Sequence, residues 1–213
     1  MCDDCKEAMK MLTVIAVTQR VSRNERYVES RDCLDQRLNE WLLEAGYLPI
    51  PVPNNLGHQI SSWLSVVKPN GILLSGGEDV GACPERDATE KQLLNHANKN
   101  HLPVLGICRG IQMLSVYFGG KLKKLSGHVS KIHPIKGELV EKNKLPSMVN
   151  SFHNWTLETC PDPYVVTATD SMGNIEAIKH TKLSWEGWMW HPEREPVFRD
   201  VELSRARKIF SGV

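Results

Sequence analysis

Two hydrophobic patterns alternate along the first half of the chain. Short runs of consecutive apolar, often β-branched residues are typical of buried strands, whereas apolar residues that recur every three or four positions are typical of amphipathic helices. The runs MLTVIAVT (11–18), GILLSGG (71–77) and PVLGI (103–107) predict buried strands, and PIPVP (49–53) predicts a short edge strand.

Helical spacing appears in four segments: residues 34–45, 60–67, 87–97 and 108–118. Gly46 follows the first segment and Gly119-Gly120 follow the last, and glycine commonly ends a helix in the left-handed conformation. The third segment is predicted to open at Asp87, because Glu90 lies at the interval of a capping box.

The second half of the chain is richer in strand-like segments. These are HPIKGELV (133–140), YVVTATD (164–170), NIEAIKH (174–180) and SWEGWMWH (184–191), followed by a predicted helix near Val201 to Phe210. The whole pattern predicts an α/β fold: a mostly parallel, flavodoxin-like sheet with helices on both faces and an antiparallel extension in the C-terminal half.

Length and composition fit one domain, predicted over residues 11–213 after a disordered lead of residues 1–10. The formal net charge of +1 and the 24% of charged residues give no sign of a nucleic-acid or membrane surface. Without a cationic signal peptide or a long apolar segment, a cytoplasmic location is expected. The sequence does not indicate an oligomeric state.

Six cysteines occupy irregular positions and do not suggest a disulfide framework. Cys2 and Cys5 form a CxxC pair, which is half of a common zinc motif. Because no second CxxC and no histidine pair at zinc spacing accompanies it, no metal site is expected.

The strongest chemical signal is Gly106-Ile107-Cys108-Arg109-Gly110, where a predicted strand meets a predicted helix. Glycines on both sides of Cys108 permit a sharp turn that lifts its side chain to the carboxyl edge of the sheet. The helix N-terminus then favours the thiolate, and the Arg109 backbone N–H faces a developing oxyanion. The alternative is a structural cysteine in an ordinary glycine-flanked turn.

His191 is the best candidate for the base that a thiolate nucleophile needs. It ends the apolar run Trp188-Met189-Trp190, and Glu193 lies two residues later, where it can orient the imidazole. The alternative is a histidine at a strand end beside a surface carboxylate.

Three motifs together carry a family resemblance: SGGEDV (75–80), GICRGIQ (106–112) and WHPE (190–193). In this order and at these separations they resemble the class I glutamine amidotransferases. The GGxDV and EAI (176–178) segments are most similar to the stand-alone γ-glutamyl hydrolases of the peptidase C26 group. The resemblance extends over nearly the whole chain from about Leu12.

The resemblance implies a hydrolase of γ-glutamyl amides that works through a γ-glutamyl thioester, without a metal or other cofactor. It implies these roles: nucleophile, Cys108; base, His191; orienting carboxylate, Glu193; oxyanion N–H groups, Gly77 and Arg109; glutamyl binding, Gln112; substrate-side segment, Ser151, Phe152 and His153. In the VNSxH segment, Asn154 and Trp155 replace the histidine and glutamine of polyamine-pathway relatives, so the leaving-group side of the pocket differs.

Four arginines follow the first predicted strand: Arg20, Arg23, Arg26 and Arg31. Carboxyl ends of parallel strands commonly bind ligands, and arginine binds phosphate or carboxylate in a bidentate manner. The alternative is a solvated loop whose arginines pair with Glu25, Glu29 and Asp32.

This segment carries a narrower resemblance. TQRV (18–21), Tyr27, Glu29, Arg31-Asp32 and Trp41 resemble γ-glutamyl-CDP-amidate hydrolases, which act in the phosphoramidate decoration of bacterial capsules. This likeness implies a small γ-glutamyl substrate with a nucleotide as its leaving group, and it points to Arg20 and Arg31 as its ligands. Two other hypotheses remain open: a glutaminase subunit that supplies ammonia to a separate synthetase, and a non-catalytic binding module.

Overall fold

The computed structural model describes residues 13–24 and 26–212, so the expected lead and the Cys2/Cys5 pair lie outside the described residues. The strands are β1 (Thr13–Val17), β2 (Arg20–Arg23), β3 (Ser30–Cys33), β4 (Tyr47–Pro51), β5 (Gly71–Leu74), β6 (Val104–Ile107), β7 (Leu122–Lys124), β8 (Val129–Pro134), β9 (Met148–Phe152), β10 (Trp155–Leu157), β11 (Tyr164–Thr169), β12 (Ile175–His180) and β13 (Trp185–Trp188). The α-helices are α1 (Gln36–Glu44), α2 (Ile60–Val67), α3 (Pro84–Asn100), α4 (Arg109–Tyr117), α5 (Glu138–Glu141) and α6 (Asp200–Phe210). Within this part of the chain, no helix has the length and apolar character needed to cross a membrane.

The central sheet has the strand order β11-β12-β13-β6-β5-β1-β4. From β4 to β13 all neighbours are parallel, and β12 and β11 extend the sheet in antiparallel pairings. Numbered among themselves, the parallel strands have the 2-1-3-4-5 order of a flavodoxin-like sheet. The predicted fold class is therefore confirmed, although β13 joins the parallel part rather than the extension alone.

Helices cover both faces of this sheet because successive strand residues point to opposite sides. In β1, the side chains of Ile15 and Val17 belong to one core together with residues of α1 and α6. Ala16 belongs to the other core, together with residues of α2, α3 and α4. The strands are therefore buried on both faces, and only their ends are available for a site.

The predicted start of the third helix is wrong. Helix α3 begins at Pro84, a residue well suited to the first helical position because its missing N–H needs no partner there. The Asp87 side chain instead accepts a hydrogen bond from the Gly81 N–H at 2.9 Å, and Glu90 turns into a buried ion-pair cluster.

The predicted strand at residues 133–140 is only partly correct. Strand β8 ends at Pro134, which has no N–H to continue a ladder, and the short helix α5 begins at Glu138. Strand β8 pairs with β9 as a separate two-stranded sheet, and β9 contains most of the VNSxH segment.

The arginine-bearing connection after β1 forms a hairpin of β2 and β3. Two contacts fix it to the edge of the sheet. Asp32 accepts hydrogen bonds from the backbone and side-chain amides of Asn54 at 2.9 and 2.8 Å, and Glu78 accepts one from the Val21 N–H at 3.3 Å. The hairpin thereby stands at the carboxyl end of β1.

Candidate active site

Cys108 lies at a sharp turn between β6 and α4. Its backbone has φ 52° and ψ −102°, a strained conformation for a residue with a side chain. Its N–H donates to the Trp188 carbonyl at 2.8 Å, which ties the turn to β13. The side chain is almost completely buried at the carboxyl edge of the sheet.

The turn is possible because Gly106 and Gly110 pack directly against each other. A Cβ on Gly106 would lie 2.6 Å from the Gly110 carbonyl carbon, and a Cβ on Gly110 would collide with the Leu74 carbonyl oxygen. Both obstacles are backbone atoms, which cannot rotate away. The sequence-based elbow therefore has its expected geometry.

His191 is held through its backbone by Asn150. The Asn150 side chain accepts from the His191 N–H at 2.9 Å and donates to the His191 carbonyl at 2.7 Å. Its amide also donates to Glu195 at 2.8 Å. These bonds join β9 to the segment after β13 and fix the backbone position from which the imidazole extends.

The imidazole of His191 contacts both partners expected of a catalytic base. Its Nδ1 lies 2.6 Å from Glu193 Oε1, which leaves Nε2 for the thiol. Burial lowers the pKa of His191, but the charges of Cys108 and Glu193 and the hydrogen bonds to both outweigh burial and raise the pKa to about 9. His191 therefore carries a proton near neutral pH, as the protonation of a leaving nitrogen requires.

This raised pKa predicts the pH dependence of the reaction. We expect kcat/KM to fall above about pH 9, where His191 loses the proton that the leaving nitrogen needs. Glu193→Gln removes one of the two groups that raise the pKa, so its alkaline fall should begin at lower pH. A pH–rate profile of both proteins checks this, and identical alkaline limbs would contradict the assignment of Glu193.

The turn after β5 brings two glycines to the same edge. A Cβ on Gly76 would lie 2.6 Å from Cε1 of His191, so only glycine permits this approach of the ring. Gly77 has φ 147°. Among residues 13–24 and 26–212, no group accepts a hydrogen bond from the N–H of Gly77 or of Arg109. Two N–H groups without an acceptor at this edge are what the predicted oxyanion hole requires.

A buried ion-pair cluster supports this turn from below. Arg86 donates to the carbonyls of Ser75 and Gly76 at 2.7 and 3.1 Å. Glu90 pairs with Arg86 at 2.9 Å and also with the side chain of Arg109, the residue after the nucleophile. Because one carboxylate binds both arginines, the glycine turn and the elbow are fixed relative to each other.

The remaining predicted substrate residues, Gln112, Ser151, Phe152 and His153, differ in the groups that their side chains contact. Gln112 donates to the Trp155 carbonyl at 3.3 Å, one helical turn beyond Cys108. The Phe152 ring stands edge-on to His191, with a centroid distance of 5.9 Å. In contrast, the Ser151 hydroxyl donates to a backbone carbonyl at 2.5 Å, and His153 Nδ1 lies 2.9 Å from the Trp155 carbonyl.

The hairpin arginines fit both interpretations of the sequence, a ligand-binding segment and a solvated loop. Arg20 lines a narrow cleft of about 30 Å³ together with Gly77, His191 and Glu193. Arg31 pairs with Glu29 at 2.8 Å, as expected of a solvated loop, but it also lines an open cavity of about 320 Å³. Of the hairpin arginines in the described part of the chain, Arg20 is the one that lines the cleft containing His191 and Glu193.

The family follows from sequence comparison. The profile of the peptidase C26 family matches residues 11–193, which include the elbow, the glycine turn and the His191 segment. The chain belongs to the peptidase C26 family. Its membership confirms the family resemblance and the predicted hydrolase that acts on C–N bonds.

Named relatives of this C26 protein include both hydrolases and components of synthetases. It is 31% identical over 199 residues to γ-glutamyl-CDP-amidate hydrolase of Campylobacter jejuni, covering 89% of the chain and 94% of the relative. It is 29% identical over 139 residues to the glutamine-hydrolysing GMP synthase subunit of Pyrococcus furiosus, covering 61% of the chain and 69% of the relative.

The fold is also found in solved structures. That of a putative GMP synthase subunit from Thermoplasma acidophilum matches with a TM-score of 0.72 and 21% identity, covering 94% of this chain and 93% of the other. At this identity, the match supports the α/β architecture and nothing finer.

Three residues that hold the candidate site in place were not identified from sequence: Asn150, Arg86 and Glu90. Asn150 belongs to the VNSxH segment, in which only Ser151, Phe152 and His153 were predicted to bind substrate. Arg86 and Glu90 stand four residues apart on a helix, a spacing that usually marks a surface ion pair. Their burial is what distinguishes them, and no local pattern reveals it.

Proposed function

We propose that the protein hydrolyses a γ-glutamyl amide whose nitrogen carries a nucleotide phosphate, such as γ-glutamyl-CDP-amidate. The presence of Arg20 in the cleft with His191 supports this proposal, because a cation in that cleft can bind an anionic group attached to the leaving nitrogen. The name of the Campylobacter jejuni relative supports the same substrate. The implied role in capsule phosphoramidate synthesis is part of this proposal.

In the proposed reaction, the Cys108 thiolate adds to the γ-carbonyl carbon, and the N–H groups of Gly77 and Arg109 bind the oxyanion. Collapse of this intermediate breaks the C–N bond, and the proton of His191 passes to the departing nitrogen. A water molecule then gives a proton to His191 and attacks the thioester. Glutamate leaves, and the thiolate–imidazolium pair is restored.

The hairpin offers a surface for an anionic leaving group. In the antiparallel register of β2 and β3, Arg20 lies opposite Cys33, and Ser22 lies opposite Arg31. Arg20 and Ser22 are two residues apart and so point to the same face of the hairpin, and directly opposed residues share a face. Arg20 and Arg31 therefore project from the same face. This face leads from the cleft at His191 to the arginine-lined cavity. A diphosphate attached to the leaving nitrogen would have a guanidinium at each end of this path.

Kinetics with several donors test the proposal. We expect the wild type to prefer a γ-glutamyl-nucleoside phosphoramidate over glutamine and γ-glutamyl polyamines. Arg20→Ala should raise KM for the nucleotide donor about 10- to 100-fold, as loss of a hydrogen bond to a charged group implies, and leave KM for glutamine unchanged. Lys142→Ala, which removes an exposed positive charge near α5, is the control.

Two outcomes would overturn the substrate assignment: a preference for an uncharged or cationic leaving group, or an equal loss with every donor in Arg20→Ala. A second candidate function, ammonia supply to a synthetase, rests on the GMP synthase relatives. It requires that turnover of free glutamine rise sharply when a synthetase partner is added.

A further inference from the structure

Four side chains outside the catalytic centre converge on one buried point. His128 precedes β8, His133 lies in β8, His153 lies between β9 and β10, and Glu176 lies in β12. One ligand atom from each can be chosen so that all four atoms lie within 4.8 Å of one another. The residues come from three separate segments of the chain, so their meeting is a product of the fold.

The distances at this point fit a common ligand. Glu176 Oε1 lies 3.8 Å from His128 Nδ1, 3.8 Å from His133 Nε2 and 3.6 Å from His153 Nε2. A tetrahedral zinc ion with nitrogen and oxygen ligands at about 2.0–2.2 Å holds those atoms about 3.3–3.5 Å apart. The distances from Glu176 to the histidines exceed this spacing by only a few tenths of an ångström, whereas the widest separation in the group, up to 4.8 Å, would have to shorten by more than about 1 Å when the ion binds.

The outer ring nitrogens have protein acceptors. His133 Nδ1 lies 3.2 Å from the Pro134 carbonyl and His153 Nδ1 lies 2.9 Å from the Trp155 carbonyl. His128 Nε2 lies 3.3 Å from the Asp170 carboxylate. Such contacts hold the outer proton and direct the inner lone pair to the common point, as is usual for histidines that bind a metal.

Glu176 supplies an independent sign that a cation belongs here. Its side chain is completely buried, and no described residue donates a hydrogen bond to either carboxylate oxygen. His133 Nε2 and His153 Nε2 are likewise buried without a hydrogen-bond partner in the described part of the chain. Buried carboxylates are normally paired or bound to metal, since an isolated one is strongly unfavourable.

We propose that His128, His133, His153 and Glu176 bind one zinc ion. Three imidazoles and a carboxylate form a four-ligand set that zinc accepts, and the burial of the group is typical of a closed, structural site. This assignment revises the sequence-based expectation that no metal is bound, and it gives the imidazole of His153 to the metal rather than to the substrate.

The ion would hold one wall of the active site. Strands β8 and β9 pair with each other outside the central sheet, whereas Glu176 belongs to that sheet. The Trp155 carbonyl contacts both His153 and Gln112. A single backbone group therefore connects the proposed zinc site to the predicted glutamyl-binding side chain of Gln112. Zinc would therefore link the paired strands β8 and β9, of which β9 contains Asn150, to β12.

Metal analysis of the untagged full-length protein tests this proposal without reference to activity. After expression with added zinc and passage through a metal-free desalting column, mass spectrometry should find about one zinc ion per chain. Glu176→Gln, which keeps the shape of the side chain, and His133→Ala should each lower zinc content at least tenfold at equal protein concentration. His58→Ala, an exposed histidine, should keep it.

Two further measurements separate this cluster from the thiols. A Cys2→Ser/Cys5→Ser variant and a Cys108→Ala variant should both retain zinc, and zinc-edge X-ray absorption should show nitrogen and oxygen ligands without sulfur. The proposal fails if the wild type binds less than about one tenth of an equivalent after reconstitution with zinc. It also fails if sulfur ligands appear, or if Glu176→Gln retains full zinc content.

Discussion

Replacing Cys108 with alanine should lower kcat/KM for any γ-glutamyl donor by about 10⁴-fold or more, as expected when a covalent nucleophile is removed. The reason is that the elbow places one sulfur at the sheet edge beside His191, and alanine has no atom that can form the thioester. Steady-state release of glutamate measures the loss. Mass spectrometry of acid-quenched protein should show a glutamyl adduct on Cys108 in the wild type and no adduct in Cys108→Ala.

Cys160 provides the matched control for this experiment. Burial raises the pKa of the Cys160 thiol to about 11, so it stays protonated and unreactive near neutral pH. Cys160→Ala should therefore retain both turnover and the adduct. Catalysis through Cys108 is refuted if Cys108→Ala keeps its rate within tenfold, or if the adduct maps to another cysteine.

The second large effect concerns stability: Glu90→Gln should lower the free energy of unfolding by about 3–5 kcal/mol. Glu90 is completely buried and is the shared partner of Arg86 and Arg109, which are also buried. A neutral amide removes the common counter-charge of two buried guanidinium groups, so that each keeps a single, less buried carboxylate: Glu78 for Arg86 and Asp87 for Arg109. Urea denaturation followed by tryptophan fluorescence measures the change, since several tryptophans lie in the core.

Glu85→Gln on the same helix is the control for burial. Glu85 pairs with Arg23 at 2.7 Å, but the two side chains are 37% and 54% exposed. Exposed pairs contribute about 0–1 kcal/mol, so this variant should unfold close to the wild type. Equal destabilisation by the two substitutions would show that the cluster around Glu90 has no special structural role.

Glu90→Gln should also change catalysis, because the same cluster supports two parts of the site. Arg86 holds the carbonyls before Gly77, and Arg109 follows the nucleophile. If the N–H groups of Gly77 and Arg109 bind the oxyanion as proposed, loosening of both should lower kcat more than it raises KM, because such groups act mainly in the transition state. This contrast with the Arg20 variant separates support of the chemistry from binding of the leaving group.

Local sequence was sufficient for the elbow. A glycine pair around Cys108, a preceding apolar run and a following helical period together demand a sharp turn at a strand end, and the structure has that turn. The same holds for His191, which the apolar run of β13 delivers to the sheet edge. Both predictions depended on residues close together in sequence, where backbone geometry follows from composition.

The hairpin after β1 was harder to predict from the sequence. Its strands β2 and β3 are short and largely exposed, so they lack the apolar alternation that identifies a strand. Contacts from Asn54 and Glu78, both far along the chain, fix the hairpin to the sheet edge. The same distance in sequence hid the function of Asn150, whose amide binds the backbone of a residue 41 positions later.

The sequence by itself determined the family and the parallel sheet, and it predicted the nucleophile and its base, because each of these follows from a short motif or a regular hydrophobic period. Only the tertiary structure decided which polar residues are buried and which of them meet. Arg86 and Glu90 have the spacing of a surface pair, and His133 and Glu176 have no common motif. Whether such groups share one buried point depends on how distant strands and helices pack, and burial removes the water that would otherwise satisfy them.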